Sequence, residues 1–293
     1  MSKPLATSTP AQEEQVVAAL NEGGFLFSQV VRDTIRFDST GNARPQKAWN
    51  FLTEEYSVTA PDGEQTRIDL LLRNVKNLGL YLCVECKRMN PLYKQWLLFD
   101  RRRGHDGIAK CDMYVESLHV FQLGSPQGQP PFHSIQSLRL GAPVQLFNYY
   151  IEVAVDRQNN VGHTKAIEDA FQQITRGQSG FMTKQLDFDG PFHVTAIPAV
   201  VTTATLYQAQ FNESDISLAT GTIEPSRLKI EPMGFCAVNY HANDQLAVRS
   251  KYSQPIKSNE HEITFGQIRT IFVVQADAVL TFLNWLDANI TTA

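Results

Sequence analysis

Two acids and a lysine stand inside the apolar stretch from Arg67 to Arg88, RIDLLLRNVKNLGLYLCVECKR. Asp69 is flanked by Ile68, Leu70, Leu71 and Leu72, and Glu85 is followed two residues later by Lys87. Strand side chains alternate between faces, so Glu85 and Lys87 point the same way. Leu80, Leu82 and Val84 fill the opposite face, and Tyr81 and Cys83 continue the charged one. Burying acids and an amine among such residues is costly unless they share a partner. A divalent metal with its attacking water is such a partner, and the corresponding chemistry is hydrolysis of a phosphodiester.

The elements that must position these groups follow from periodicity and turn signals. A tail over residues 1–10 precedes a helix over residues 11–21 that stops at Gly23-Gly24. Residues 25–37 are apolar at mixed spacing and take no firm assignment. Residues 49–59 and 65–73 are expected to be strands joined by a hairpin turn at Asp62-Gly63. Residues 79–87 form a third strand, and residues 92–99 open a helix. A fourth strand is expected over 144–155, a helix over 164–178, a long strand over 194–210 and another over 268–275. An amphipathic helix over 276–289 closes the chain. There is no internal repeat, and GSPQGQPP at 124–131 reads as a loop.

That order, with Asp69 on the second strand and Glu85-Cys86-Lys87 on the third, resembles the restriction-endonuclease-like superfamily, the PD-(D/E)xK nucleases. Ile68 stands where the family name has a proline. The resemblance covers roughly the first 180 residues. It implies an α/β fold with αβββαβ order, a central mixed sheet flanked by helices, and strand and helix additions over about 181–293. Residues 11–293 would then form one domain. The implied activity is Mg²⁺-dependent cleavage of DNA, with Mn²⁺ as an alternative ion and restriction or defence as a setting. Asp69 and Glu85 would hold the metal with the carbonyl of Cys86, and Lys87 would act on the water and the transition state.

Two further residues enter through the family pattern and helix geometry. Val16, Val17 and Leu20 define an apolar stripe, and at about 100° per residue Glu13 falls inside it while Glu14 lies at its edge. The superfamily often places a glutamate on its first helix, so Glu13 is expected in the site, with Glu14 as the other candidate. In AIEDAFQQITRGQ, Ile167, Ala170, Phe171 and Ile174 form the packed stripe. Gln173 lies on its flank and is the expected catalytic glutamine, with Gln172 as second choice.

The net charge of −4 means that any nucleic-acid contact must come from a local patch. Lys87, Arg88, Lys94, Arg101, Arg102, Arg103 and Lys110 offer one, either as a phosphate-binding face or as solvated surface. Cys83 and Cys86 would face opposite sides of a strand, which suits core residues better than a zinc site. No GxSxG, Gly-rich phosphate loop or HExxH occurs, so a serine hydrolase, a nucleotide-driven motor and a zincin are unsupported. The N-terminus lacks a signal-peptide layout, and the run from Ile271 to Leu286 is broken by Gln275, Asp277 and Asn284. A cytoplasmic protein is the expectation. The rival readings are a catalytically inactive nuclease-fold interaction module and an RNA-directed nuclease. A homodimer stays open.

Overall fold

The computed structural model describes residues 14–15, 17–20, 24–44, 48–89, 95–99, 112–120, 132–139, 144–155, 161–162, 165–185, 192–242, 246 and 268–289. After a helical stretch within 14–20 come α1 (Phe25–Arg36), β1 (Trp49–Thr59), β2 (Gln65–Asn74) and β3 (Leu80–Lys87). Next come β4 (Gln95–Phe99), β5 (Asp112–Val120), β6 (Phe132–Arg139), β7 (Leu146–Phe147), β8 (Tyr149–Val155) and β9 (Val161–Gly162). Then follow α2 (Ala166–Gln185), β10 (Phe192–Thr202), β11 (Thr205–Gln210), β12 (Lys229–Met233), β13 (Phe235–His241), β14 (Ile268–Gln275) and α3 (Val279–Asn289). The protein is therefore mixed α/β, as expected.

The main sheet runs β1-β2-β3-β10-β14-β13-β7, with β5 and β6 attached through β10. β1, β2 and β3 form an antiparallel meander, and β10 lies parallel to β3 with Thr195 opposite Leu80 and Thr202 opposite Lys87. Residues 194–201 of β10 are all buried, as suits a central strand covered on both faces. A second sheet runs β12-β11-β4-β8-β9. It begins where the first one ends: β4 follows β3, β11 follows β10, and both pairs are parallel.

Helices cover both faces of the main sheet. Phe27 and Val31 of α1 and Phe282, Leu283 and Leu286 of α3 pack with Leu70, Leu72, Leu82, Val84 and Phe272. On the other face, Phe171, Ile174 and Phe181 of α2 pack with Ile68, Leu71, Cys83 and Val200, and Trp96 and Leu98 of β4 join that core. Cys83 and Cys86 fall in opposite cores as buried thiols that form no disulfide.

Several sequence expectations need correction. Residues 95–99 are a strand, not the start of a helix, because Trp96 and Leu98 alternate inward. The strand expected over 144–155 is two, β7 in the main sheet and β8 in the second. The strand expected over 194–210 likewise divides into β10 and β11 at a turn where Ala204 N–H bonds the Thr202 hydroxyl at 3.0 Å. α2 continues seven residues past Gln178. Gly177 and Gly180 do not end it; they let it lie against the hairpin, since a Cβ at Gly180 would meet Val58 Cγ2 at 2.8 Å. Six strands intervene between β3 and α2, and the strand beside β3 comes from beyond residue 180, so the C-terminal third builds the middle of the sheet. Residues 25–37, left unassigned above, hold α1; its exposed Phe25, Leu26 and Val30 blur the period set by buried Phe27 and Val31.

Candidate functional site at the end of the third strand

The site forms where the hairpin β1–β2 changes faces. Leu70 and Leu72 pack under α1 and α3, but Ile68, also two residues on, packs under α2. β1 does the same: Glu54 reaches Gln29 and Arg32 of α1, while Tyr56 and Val58 pack toward α2. The crossover falls at Asp69 in β2 and Glu55 in β1, between the register pairs Glu54–Leu70 and Tyr56–Ile68. Glu55 accomplishes it with a φ of +51°, the single positive φ of a non-glycine among the described residues. The face change is a packing requirement, since the outer hairpin must cover α2 while its inner half covers α1.

The ladder between β2 and β3 ends at the same level. Pairing runs from Arg73 opposite Tyr81 to Leu70 opposite Val84 and goes no further. The next ladder position is taken by a side chain: Cys86 N–H donates to Asp69 Oδ2 at 2.7 Å. Gly79 and Lys87 accept from Thr195 and Thr203 of the β10 side, so odd-numbered residues of β3 spend their backbone on β10. Even-numbered ones face β2, and the Cys86 carbonyl points the same way as its amide, toward Asp69.

Asp69, Glu85 and Lys87 thus lie near enough for Asp69 and Lys87 to act on the charge of Glu85, and Lys87 on that of Asp69. Glu85 is only 4% exposed, and its Oε2 is buried with no hydrogen-bond partner. Burial, then the Asp69 charge, push the Glu85 carboxyl well above its ordinary range, against the pull of Lys87. Burial also raises Asp69, to about 6; the Cys86 amide and Lys87 oppose the shift and Glu55 adds to it. The Cys86 thiol is driven well above its usual range by burial and then by Asp69, Glu85 and Glu55, so it stays protonated on the far face.

The remaining expectations fare differently. Glu13 lies outside the described residues. Glu14 is exposed, and Val17 and Leu20 are exposed at 55% and 44%. The stripe used to orient Glu13 therefore does not face the core at those two positions, and that argument fails. Gln173 is half-buried on α2, and no hydrogen bond joins it to Asp69, Glu85 or Lys87. Gln172 is exposed and donates to Glu168 at 3.1 Å. Lys94, Arg101, Arg102, Arg103 and Lys110 also lie outside the described residues.

Glu55 is the residue that sequence reasoning missed. Its charge acts on Asp69, Glu85 and Cys86, and its Oε2 accepts from Arg67 Nη1 at 3.0 Å. The signal for it was the pair Glu54-Glu55 in mid-strand. One acid of such a pair must face each side, and Glu54 takes the α1 side.

The donor set fits a divalent cation of modest demands. Two neighbouring carboxyls, both raised by burial and one with an orphaned buried oxygen, form a site whose negative charge a cation would neutralise. Among the described residues no group of three or more His, Cys, Asp or Glu side chains is gathered to hold a metal ion. Glu55 is accordingly an electrostatic neighbour rather than a third ligand. Two carboxylates and one backbone carbonyl suit Mg²⁺, which keeps several waters, better than zinc. Among the described residues no helix is long and apolar enough to cross a membrane. None of the family models, curated proteins or solved structures compared with the chain matches it.

Proposed function

We propose that the protein is a divalent-metal-dependent phosphodiester hydrolase acting on DNA. The observation that carries this reading is Glu85 Oε2, buried without a partner beside Asp69 and Lys87 at the frayed end of the β2–β3 ladder. The order α1-β1-β2-β3-α2-β10, with β10 parallel to β3 and β4–β9 inserted before α2, supports the restriction-endonuclease-like reading.

Asp69 and Glu85 would hold Mg²⁺ or Mn²⁺ together with the Cys86 carbonyl. Such a cation acidifies water and offsets charge developing on the scissile phosphate. Asp69 Oδ2 accepts from the Cys86 amide, so Oδ1 is the oxygen that would take the cation. Lys87 shares the face of Glu85, where its ammonium would orient the attacking water and stabilise negative charge on the phosphoryl oxygens. Cys86 contributes backbone only. The test is incubation of the purified protein with plasmid and linear DNA, with and without Mg²⁺ or Mn²⁺. Metal-dependent cleavage that disappears in Lys87→Ala supports the reading. Absence of cleavage under all these conditions, or cleavage unaffected by Lys87→Ala, removes it.

A further inference from the structure

A polar cavity of about 610 Å³ opens between the outer half of the β1–β2 hairpin and the last turns of α2, on the hairpin-tip side of Asp69. Its lining carries two cations, Arg67 and Lys184, the Gln65 amide and the hydroxyls of Thr59, Thr66 and Thr183. Among the described residues it carries no carboxylate. Both cations are held in place. Arg67 pairs with Glu55, and Lys184 Nζ sits 4.6 Å from the centre of the Tyr56 ring. Arg67 is two residues from Asp69 along β2, roughly 6.6 Å at strand spacing. Arg176 pins the hairpin tip to α2 through Asp62 at 3.1 Å, so the walls are braced.

A lining of two cations, an amide and several hydroxyls, with no carboxylate of its own, favours an anionic ligand. From this we infer that the cavity binds a backbone phosphodiester of the DNA strand next to the one being cleaved. This rests on the nuclease reading above. The size falls within the range of sites that hold one small-molecule unit, here one nucleotide's sugar and phosphate. Arg and Lys with hydroxyls are the usual partners of phosphate oxygens, and they fix register without reading sequence. The arrangement also explains why a chain of net charge −4 can hold a polyanion at this place. Arg67 links the two halves: it partly neutralises Glu55 on one side and lines the phosphate cavity on the other.

The experiment uses the full chain carrying Glu85→Gln, which prevents cleavage, and measures binding of a fluorescently labelled DNA duplex across a salt series. Lys184→Ala and Arg67→Ala are each added to that background, and then both. Arg67 and Lys184 are exposed, so unchanged thermal melting is expected and is checked alongside. Each replacement should weaken binding about fivefold to tenfold near physiological salt and flatten the slope of log K against log salt by about 0.9. A double variant with the parent's slope would overturn the proposal, and so would a parent that binds no DNA. If the variants lose inorganic phosphate binding but keep the parent's DNA slope, the cavity takes a free anion, and the proposal also falls. Cleavage by the wild type with an unchanged slope in the double variant would remove the cavity assignment alone. DNA binding that depends on the cavity, in a chain that never cleaves, would remove the nuclease reading alone.

Discussion

Among the described residues, two groups of buried or half-buried acids are treated in opposite ways. At the start of α2, Glu168 accepts hydrogen bonds from the Tyr150 and Tyr240 hydroxyls and from the Gln172 amide. Burial pulls its carboxyl up, but the three donors outweigh burial and leave it below its ordinary range. Nearby, buried Glu152 accepts from the amides of Ala166 and Ile167 through Oε2 and caps the helix, while its Oε1 has no hydrogen-bond partner. At the end of β3, Asp69 has one amide donor, Glu85 Oε2 has none, and both carboxyls are raised. An acid that the fold satisfies is a brace. Glu152 and Glu168 receive two and three donors, whereas Glu85 Oε2 lacks a donor beside a second acid that is also raised; that pairing of raised acids is the physical basis for assigning function to one group and structure to the other.

The most severe test removes one acid from each group. Asp69→Ala and Glu85→Ala should lower cleavage on the order of a thousandfold or more, since several kcal/mol of transition-state stabilisation depend on the cation they hold. Glu168→Gln should leave cleavage near wild type and reduce melting temperature instead, because hydrogen bonds to a charged acceptor contribute roughly 1.5–3 kcal/mol each. Parallel cleavage assays and thermal melts decide it. Equal loss of activity in all three would dissolve the distinction.

Lys87 comes next in size. Lys87→Ala should lower kcat about a hundredfold to a thousandfold, the range for losing one charge-stabilising donor, with much less change in DNA affinity. Single-turnover kinetics with a separate binding isotherm measures the split. A loss confined to affinity would place Lys87 among the backbone contacts rather than at the chemistry.

The third test concerns stability and pH. The Asp69 carboxyl titrates near 6 in the folded chain against 3.8 as its ordinary value. The folded state therefore binds the proton more tightly, and stability in the absence of metal falls as pH rises from about 4 through 6. Two units correspond to about 3 kcal/mol. Asp69→Asn keeps an acceptor for the Cys86 amide and removes the charge. It should therefore be more stable than wild type at pH 7 without metal, by about that amount, and match it near pH 4. Adding Ca²⁺ should stabilise wild type and leave Asp69→Asn little changed, a readout independent of turnover. A wild type that is the more stable at pH 7 without metal would show that Asp69 is as well satisfied as Glu168.

The hairpin, β3, β14 and the closing helix were legible because each is an apolar segment, and the hairpin is marked by a recognisable turn at Asp62-Gly63 with Gly63 at φ +88°. Asp69, Glu85 and Lys87 were legible for the same reason: charge stands out against an apolar strand. The division of residues 192–210 between two sheets was not legible, because β10 and β11 have the same apolar texture and part only at a short turn after Thr202. Nor was the role of Gly177 and Gly180, which look like a helix end but serve close approach to Ile68 and Val58. Glu55 was passed over because it lies on β1, outside the Asp69/Glu85/Lys87 pattern, although the pair Glu54-Glu55 signalled an acid on each side of that strand.

Glu55 offers the smallest effect and separates two causes. Its left-handed φ is a strain of about 1–3 kcal/mol for a side chain with a Cβ, and its charge raises Asp69. Glu55→Gln keeps the strain and removes the charge. It should shift the stability inflection of Asp69 toward lower pH by a fraction of a unit and leave the melting temperature at pH 4 close to wild type. Glu55→Gly removes both. Glycine adopts this backbone freely, which offsets the entropy it loses on folding, so a net gain of up to about 1 kcal/mol, or ~2–4 °C, is expected over Glu55→Gln. Melting curves of both variants from pH 4 to 7 without metal measure the two effects. If Glu55→Gly is less stable than Glu55→Gln, the positive φ is not a strained conformation maintained by the face change at Asp69. The Arg67–Glu55 pair would then hold the hairpin, and the boundary between the satisfied and unsatisfied acids would have to be drawn with Glu55 on the structural side.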